Sequence, residues 1–125
     1  MLNPAKSLRF DERGTTALEF AIVAPILIGL LIGTITLCVD LFLIGSMHYA
    51  VEQGARCASI KTTVCTDEAA IIAYARNSYF GPGATPSFSY TAAACGNSVS
   101  ASFSYTINVG FSTYTIPISA TACYP

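Results

Sequence analysis

Phe20-Ala-Ile-Val-Ala-Pro25-Ile-Leu-Ile-Gly29-Leu-Leu-Ile-Gly33-Thr-Ile-Thr-Leu-Cys38-Val39 runs for twenty residues without a charge. A helix of that length covers roughly 30 Å, the thickness of the bilayer hydrocarbon. Pro25 would break a soluble helix, but a membrane helix tolerates it as a kink or a softened stretch. A secretory signal would have an apolar core of only about 7–15 residues and a small-x-small cleavage site. Here the run is longer and continues into Cys38-Val-Asp40-Leu-Phe-Leu-Ile, where no such site stands out. The expectation is therefore one membrane-spanning helix.

The flanks give it a direction. Lys6, Arg9 and Arg13 precede the run, and the first basic residue after it is Arg56. The positive-inside bias then puts the N-terminus in the cytoplasm and the C-terminal part on the far side of the membrane. A length of 125 residues leaves room for that helix and one small domain.

Composition narrows the function. Charged residues make up 10 % of the chain, against about 25 % in ordinary soluble domains. Six Lys+Arg against seven Asp+Glu offer no basic footprint for nucleic acid. One His, no zinc-ligand spacing and no Gly-rich phosphate loop give no support to an enzyme, a metal site or a cofactor. Nothing after Arg76 is charged, yet that stretch is rich in Ser, Thr and Tyr. A segment so made suits a hydroxyl-faced sheet that packs against something else.

Glu19 stands at the front edge of the apolar run. A carboxylate inside a membrane helix costs a few kcal/mol and calls for a partner; one in the headgroup layer costs nothing. Position alone leaves both readings open.

The residues around it resemble a known family. Gly14-Thr15-Thr16-Ala17-Leu18-Glu19-Phe20 is similar to the class III leader of type IV pilins: a short basic leader, Gly before the scissile bond and Glu fifth in the mature chain. Thr15 stands where many type IV pilins carry Phe, and the small residues before Glu-Phe look more like the tight-adherence (Tad/Flp) branch. Gly54-Ala55-Arg56-Cys57-Ala58 is similar to the signature that ends the long helix of TadE-like minor pilins, with Cys57 in place of the usual aromatic. The resemblance covers residues 13–60; the remainder matches only in style.

The resemblance implies a mechanism. A prepilin peptidase would cut between Gly14 and Thr15, removing residues 1–14 as leader and leaving 111 residues. Gly14 lets the peptidase approach the backbone closely. The cut removes the basic anchors and frees an amine on Thr15, which in a pilus would meet Glu19 of a neighbouring subunit and offset its charge. Implied partners are other pilin subunits, the peptidase and an inner-membrane assembly platform. The implied location is the bacterial inner membrane, with the head periplasmic or carried out in a pilus. The competing expectation is an uncleaved bitopic anchor whose exterior domain binds an envelope partner.

Beyond the span, Leu37, Leu41, Ile44, His48, Val51, Ala55 and Ala58 recur in steps of four and three, predicting a helix that continues as a stem through residue 60. His48 reads as a packed structural residue and Asp40 as the outer interface. Gly29 and Gly33 form a GxxxG, which permits close helix approach in lipid. Residues 61–125 form the expected head. Thr66 would cap a short helix with Asp67 and Glu68 in its first turn, Ile71, Ile72, Ala75 and Tyr79 on one face, and Gly81-Pro82-Gly83 at its end. Alternation then predicts three antiparallel strands, around 87–92, 99–109 and 114–122, with a turn at Gly110 and Pro117 marking the last strand as an edge. The fold class is α+β.

Cys38 falls in the span, and Cys57, Cys65, Cys95 and Cys123 fall beyond it. Four cysteines on an exported segment read as two disulfides with three possible connectivities. Cys57–Cys65, closing the turn after the stem, and Cys95–Cys123, fastening the C-terminus, are favoured. One difficulty attaches to the second: strands flanking a common neighbour start about 9–10 Å apart, beyond disulfide reach.

Overall fold

The structure is a computed structural model and describes residues 12–83, 85–108 and 112–125. The elements are α1 (Glu12–Ile60), α2 (Glu68–Asn77), β1 (Ser87–Ala93), β2 (Gly96–Asn108) and β3 (Thr113–Tyr124). They form a long helix, a short second helix and a three-stranded antiparallel sheet in the order β1-β2-β3. This is the α+β architecture the sequence predicts. The expected turn at Gly110 lies at residues 109–111, outside the described residues, as do Lys6 and Arg9. The chain divides into two compact units, which part between Leu37 and Cys38.

In the first unit α1 has no covering layer. Leu18, Phe20, Ile22, Val23, Ile26 and their successors through Leu37 all stand exposed. Polar side chains on this stretch bond inward to the helix. The Thr34 hydroxyl donates to the Leu31 carbonyl, and that of Thr36 to the Ile32 and Gly33 carbonyls, all at 2.9 Å. Such back-bonding leaves no hydroxyl unsatisfied in a medium without water.

The second unit has a core. Met47, Val51, Ala55 and Cys57 of α1 pack with Ile71 and Ala75 of α2 and with Val99, Ala101 and Ala120 of the sheet. The strand parity follows from the alternation of apolar and hydroxyl residues: Phe88, Tyr90, Val99, Ala101, Phe103, Ile118, Ala120 and Ala122 belong to the core or pack against it. Ser87, Ser102 and Ser119 line up across the outer face, as do Ser89, Ser100 and Thr121. Tyr114 and Ile116 keep the parity but stand exposed.

Two expectations need correction. The buried side of the stem runs Leu43, Ser46, Met47, Ala50, Val51, Ala55 and Cys57, while Leu37, Leu41, Ile44 and His48 are exposed. Leu41-Phe42-Leu43-Ile44 are apolar at every position, so periodicity there leaves the face of the helix undecided. The cap of α2 is Asp67, not Thr66: its side chain accepts from the Ala70 N–H at 2.8 Å. A carboxylate at that point satisfies a free amide and complements the positive end of the helix.

Disulfides join Cys57 to Cys65 across a Cα distance of 5.9 Å and Cys95 to Cys123 across 6.2 Å. The second is reachable because Cys95 lies in the tight turn before Gly96 rather than on β1. It stands one step before the start of β2, where Asn97 pairs with Tyr124 and Ser98 with Cys123. Gly96 makes that turn possible at φ 119°. A Cβ there would run into the Tyr124 carbonyl oxygen and lie 2.6 Å from the Pro125 Cα.

Candidate functional site: the apolar helix and its docking end

The candidate site is the helix segment from Gly14 through Arg56, and each end has its own geometry. At the N-terminal end Gly14 and Thr15 lie within α1 and are exposed. An added Cβ on Gly14 would meet nothing within 4 Å, so the surroundings place no demand on a glycine here. Glu19 follows just over one turn after Thr15 on the same helix, and Phe20 beside it is 74 % exposed. Pro25 lies inside the helix, where it removes one backbone donor. Gly29 and Gly33 also have open space where a side chain would be.

Fully burying one large aliphatic or aromatic side chain is worth about 1.5–3 kcal/mol. The exposed Leu, Ile, Val and Phe residues of this segment would together cost tens of kcal/mol in water. Such a surface calls for apolar surroundings. The helix is long and apolar enough to cross a membrane, and none of its most apolar window is buried by the chain itself.

At the other end the same helix is tightly docked. A Cβ on Gly54 would stand 2.9 Å from the Ala75 Cβ and 3.4 Å from Val99 Cγ2. Glycine therefore lets α2 and the sheet close on α1. Ala55 and Cys57 are buried beside it, and the Arg56 guanidinium sits 5.9 Å from the centre of the Tyr124 ring. One turn on, the Ser59 hydroxyl donates to the Tyr124 carbonyl and accepts from the Asn97 side-chain amide at 2.8 Å; the Tyr90 hydroxyl in turn donates to Asn97. This network fastens the last strand and the chain terminus to the helix.

The sequence reading singled out Gly54 by resemblance alone, without its packing role, and did not find the Ser59–Asn97–Tyr90 network. A polar residue on an apolar helix face, opposite a strand's first residues, was the available signal. Of the residues singled out in the sequence, Gly14, Thr15, Glu19, Phe20, Pro25, Gly29 and Gly33 occupy one exposed stretch, while Cys57, Cys65, Cys95 and Cys123 lie in the other unit. Among the described residues no three His, Cys, Asp or Glu side chains gather in a way that could hold a metal ion.

The fold and this segment define a class: a long, uncovered apolar helix able to cross a membrane, followed in the chain by a small, disulfide-stapled α+β unit. Residues 14–56 match the family model of the TadE-like proteins. The match ends at Arg56, where the helix docks against the head. Comparisons with curated proteins and with solved structures returned no match.

Proposed function

We propose that the protein is a minor pilin, or pseudopilin, that takes part in assembly of a Tad-type (Flp) pilus for surface adherence. In this reading residues 1–14 are a leader, 15–60 the membrane helix and stem, and 61–125 the exported head. The observation that carries it is the contrast within α1: an apolar stretch with no partner in its own chain, joined to a segment locked into a folded head. A subunit stored in the membrane and later bundled through its helix needs both.

Cleavage between Gly14 and Thr15 removes Lys6, Arg9 and Arg13 and so releases the inward-facing end. The new amine of Thr15 and the carboxylate of Glu19 on a neighbouring subunit then offset one another in an apolar surrounding. Phe20, Pro25, Gly29 and Gly33 form the packing surface, and the glycines admit close approach. Before extraction the protein sits in the bacterial inner membrane with its head in the periplasm, where the two disulfides form. Its partners are other pilin subunits, the prepilin peptidase and the assembly platform.

Replacing Gly14 tests this directly, because a Cβ added there meets nothing within 4 Å among the described residues. Gly14→Glu is expected to leave the head folded and block processing, so that only full-length chain accumulates. A Gly14→Glu chain shortened like the wild type would defeat the reading. A wild-type chain never shortened would favour the uncleaved anchor.

A further inference from the structure

α1 ends at Ile60, and the Cys57–Cys65 bridge holds the turn that follows it. The Lys61 N–H donates to the Cys57 carbonyl, and the Lys61 carbonyl accepts from the N–H groups of Val64 and Cys65, all at 2.9 Å. The backbone of Lys61 is thus pinned on both sides. Beside it, between the last turns of α1 and Tyr74 of α2, lies a cleft of about 150 Å³ lined by Gln53, Arg56, Cys57, Ile60, Lys61 and Tyr74. All six residues belong to the second compact unit.

The charge in this cleft is one-sided. Arg56 and Lys61 are its ionised residues, and among the described residues neither forms an ion pair. Glu52 stands four residues before Arg56 on α1, the spacing at which opposite charges on a helix commonly meet. The guanidinium instead lies over the Tyr124 ring, 5.9 Å from its centre. The Lys61 ammonium likewise lies over the Tyr74 ring, 5.1 Å from its centre, and donates to the Tyr74 hydroxyl at 2.8 Å. An aromatic face orients a cation without neutralising it, so the remaining N–H groups stay open to an acceptor. Since the Tyr74 oxygen accepts from lysine, its own hydrogen is available to donate, and the Gln53 amide adds two donors more.

Two uncompensated cations and two neutral donors around one small space suit a dianion better than a carboxylate. A carboxylate brings one charge and two oxygens. A phosphoryl group at neutral pH brings a charge of about −1.5 to −2 and three acceptor oxygens. The planar fork of an arginine takes two of those oxygens together, and an ammonium acts as a point charge on the third. We propose that this cleft is an anion site that binds a phosphoryl group between the Arg56 guanidinium and the Lys61 ammonium, with the Tyr74 hydroxyl and the Gln53 amide as neutral donors. The inference rests on the second unit alone and uses neither the membrane, the cleavage nor the pilus part of the proposed function.

The test is a titration of the full-length protein in an uncharged maltoside detergent at neutral pH. Sodium phosphate is added in one series and sodium chloride at matched ionic strength in another. Nitrogen–proton correlation NMR follows the Arg56 Nε–H and the Lys61 amide. Phosphate is expected to give shifts that saturate, and chloride only small ones that do not. Lys61→Met and Arg56→Gln should each weaken phosphate binding by about tenfold or more, while Lys61→Arg retains it. Arg76→Gln alters an exposed cation outside the cleft and should change nothing. Lys61 is exposed, so Lys61→Met is expected to keep its head signals dispersed, and Arg56→Gln supplies an independent removal of charge. Glycerol phosphate separates the sources. Saturation by it as well as by inorganic phosphate assigns the site to a phosphorylated compound or headgroup, and saturation by inorganic phosphate alone assigns it to the free ion; either upholds the site. Shifts that follow ionic strength whichever salt is added would overturn it. So would acetate saturating at the same concentrations as phosphate, Lys61→Met binding as the wild type does, or Arg76→Gln weakening binding as much as Lys61→Met.

Discussion

Gly33 and Gly54 lie on one helix and do opposite things. A Cβ added to Gly33 would meet nothing within 4 Å; one added to Gly54 would stand only 2.9 Å from that of Ala75. The same contrast extends along the helix. Up to Leu37 the apolar side chains of α1 are exposed, and from Leu43 on one side of the helix is buried under α2 and the sheet. The space at Gly33 is open, whereas that at Gly54 is already filled by its own chain. One helix thus joins an uncovered apolar stretch to an intramolecular core.

The contrast can be broken from the head first. Removing the Cys95–Cys123 bridge, which closes a separation of 28 residues, is expected to cost about 3–4 kcal/mol by loop closure. Tyrosine circular dichroism of Cys95→Ala/Cys123→Ala on heating in detergent should show a head that melts far earlier while the helix signal of the span persists. An unchanged melting temperature would mean that the sheet holds its terminus without the staple. Next in size, Gly54→Val should destabilise the head by about 1–3 kcal/mol, because Ala75 and Val99 must move aside. Asp67→Ala removes one cap and should cost about 1 kcal/mol in the same assay. Smallest of all for the head is Gly33→Leu, expected to leave its melting unchanged. Its effect belongs between molecules: association of the membrane helices, read by cross-linking through Cys38, should weaken. A head that melts early in Gly33→Leu would erase the distinction between the two regions.

Much of this architecture is legible in the sequence, for identifiable reasons. Twenty uncharged residues read as a span whatever surrounds them, and strict alternation of Ser or Thr with apolar residues sets strand parity through β2 and β3. The buried side of the stem was not legible, since Leu41 through Ile44 offer apolar residues in every direction. His48 shows the consequence: placed on the expected seam, it faces outward in the structure. Nor could spacing rules foresee how Cys95 meets Cys123. That depends on a two-residue turn bringing Cys95 up beside the start of β2, a placement that strand-to-strand distances do not contain. Of the candidate segment, Gly14 through Phe20 was singled out by resemblance and Pro25, Gly29 and Gly33 by their place in the apolar run, whereas the packing role of Gly54 needed the tertiary fold.

The most direct test is the mass and N-terminal sequence of the protein recovered from cells that assemble the pilus. A chain beginning at Thr15, with its 111 residues found in the sheared fibre or in a membrane assembly beneath it, is the outcome required of a released and bundled subunit. A protein that keeps Met1 through Gly14 at every stage, and is never recovered with other subunits, would contradict it.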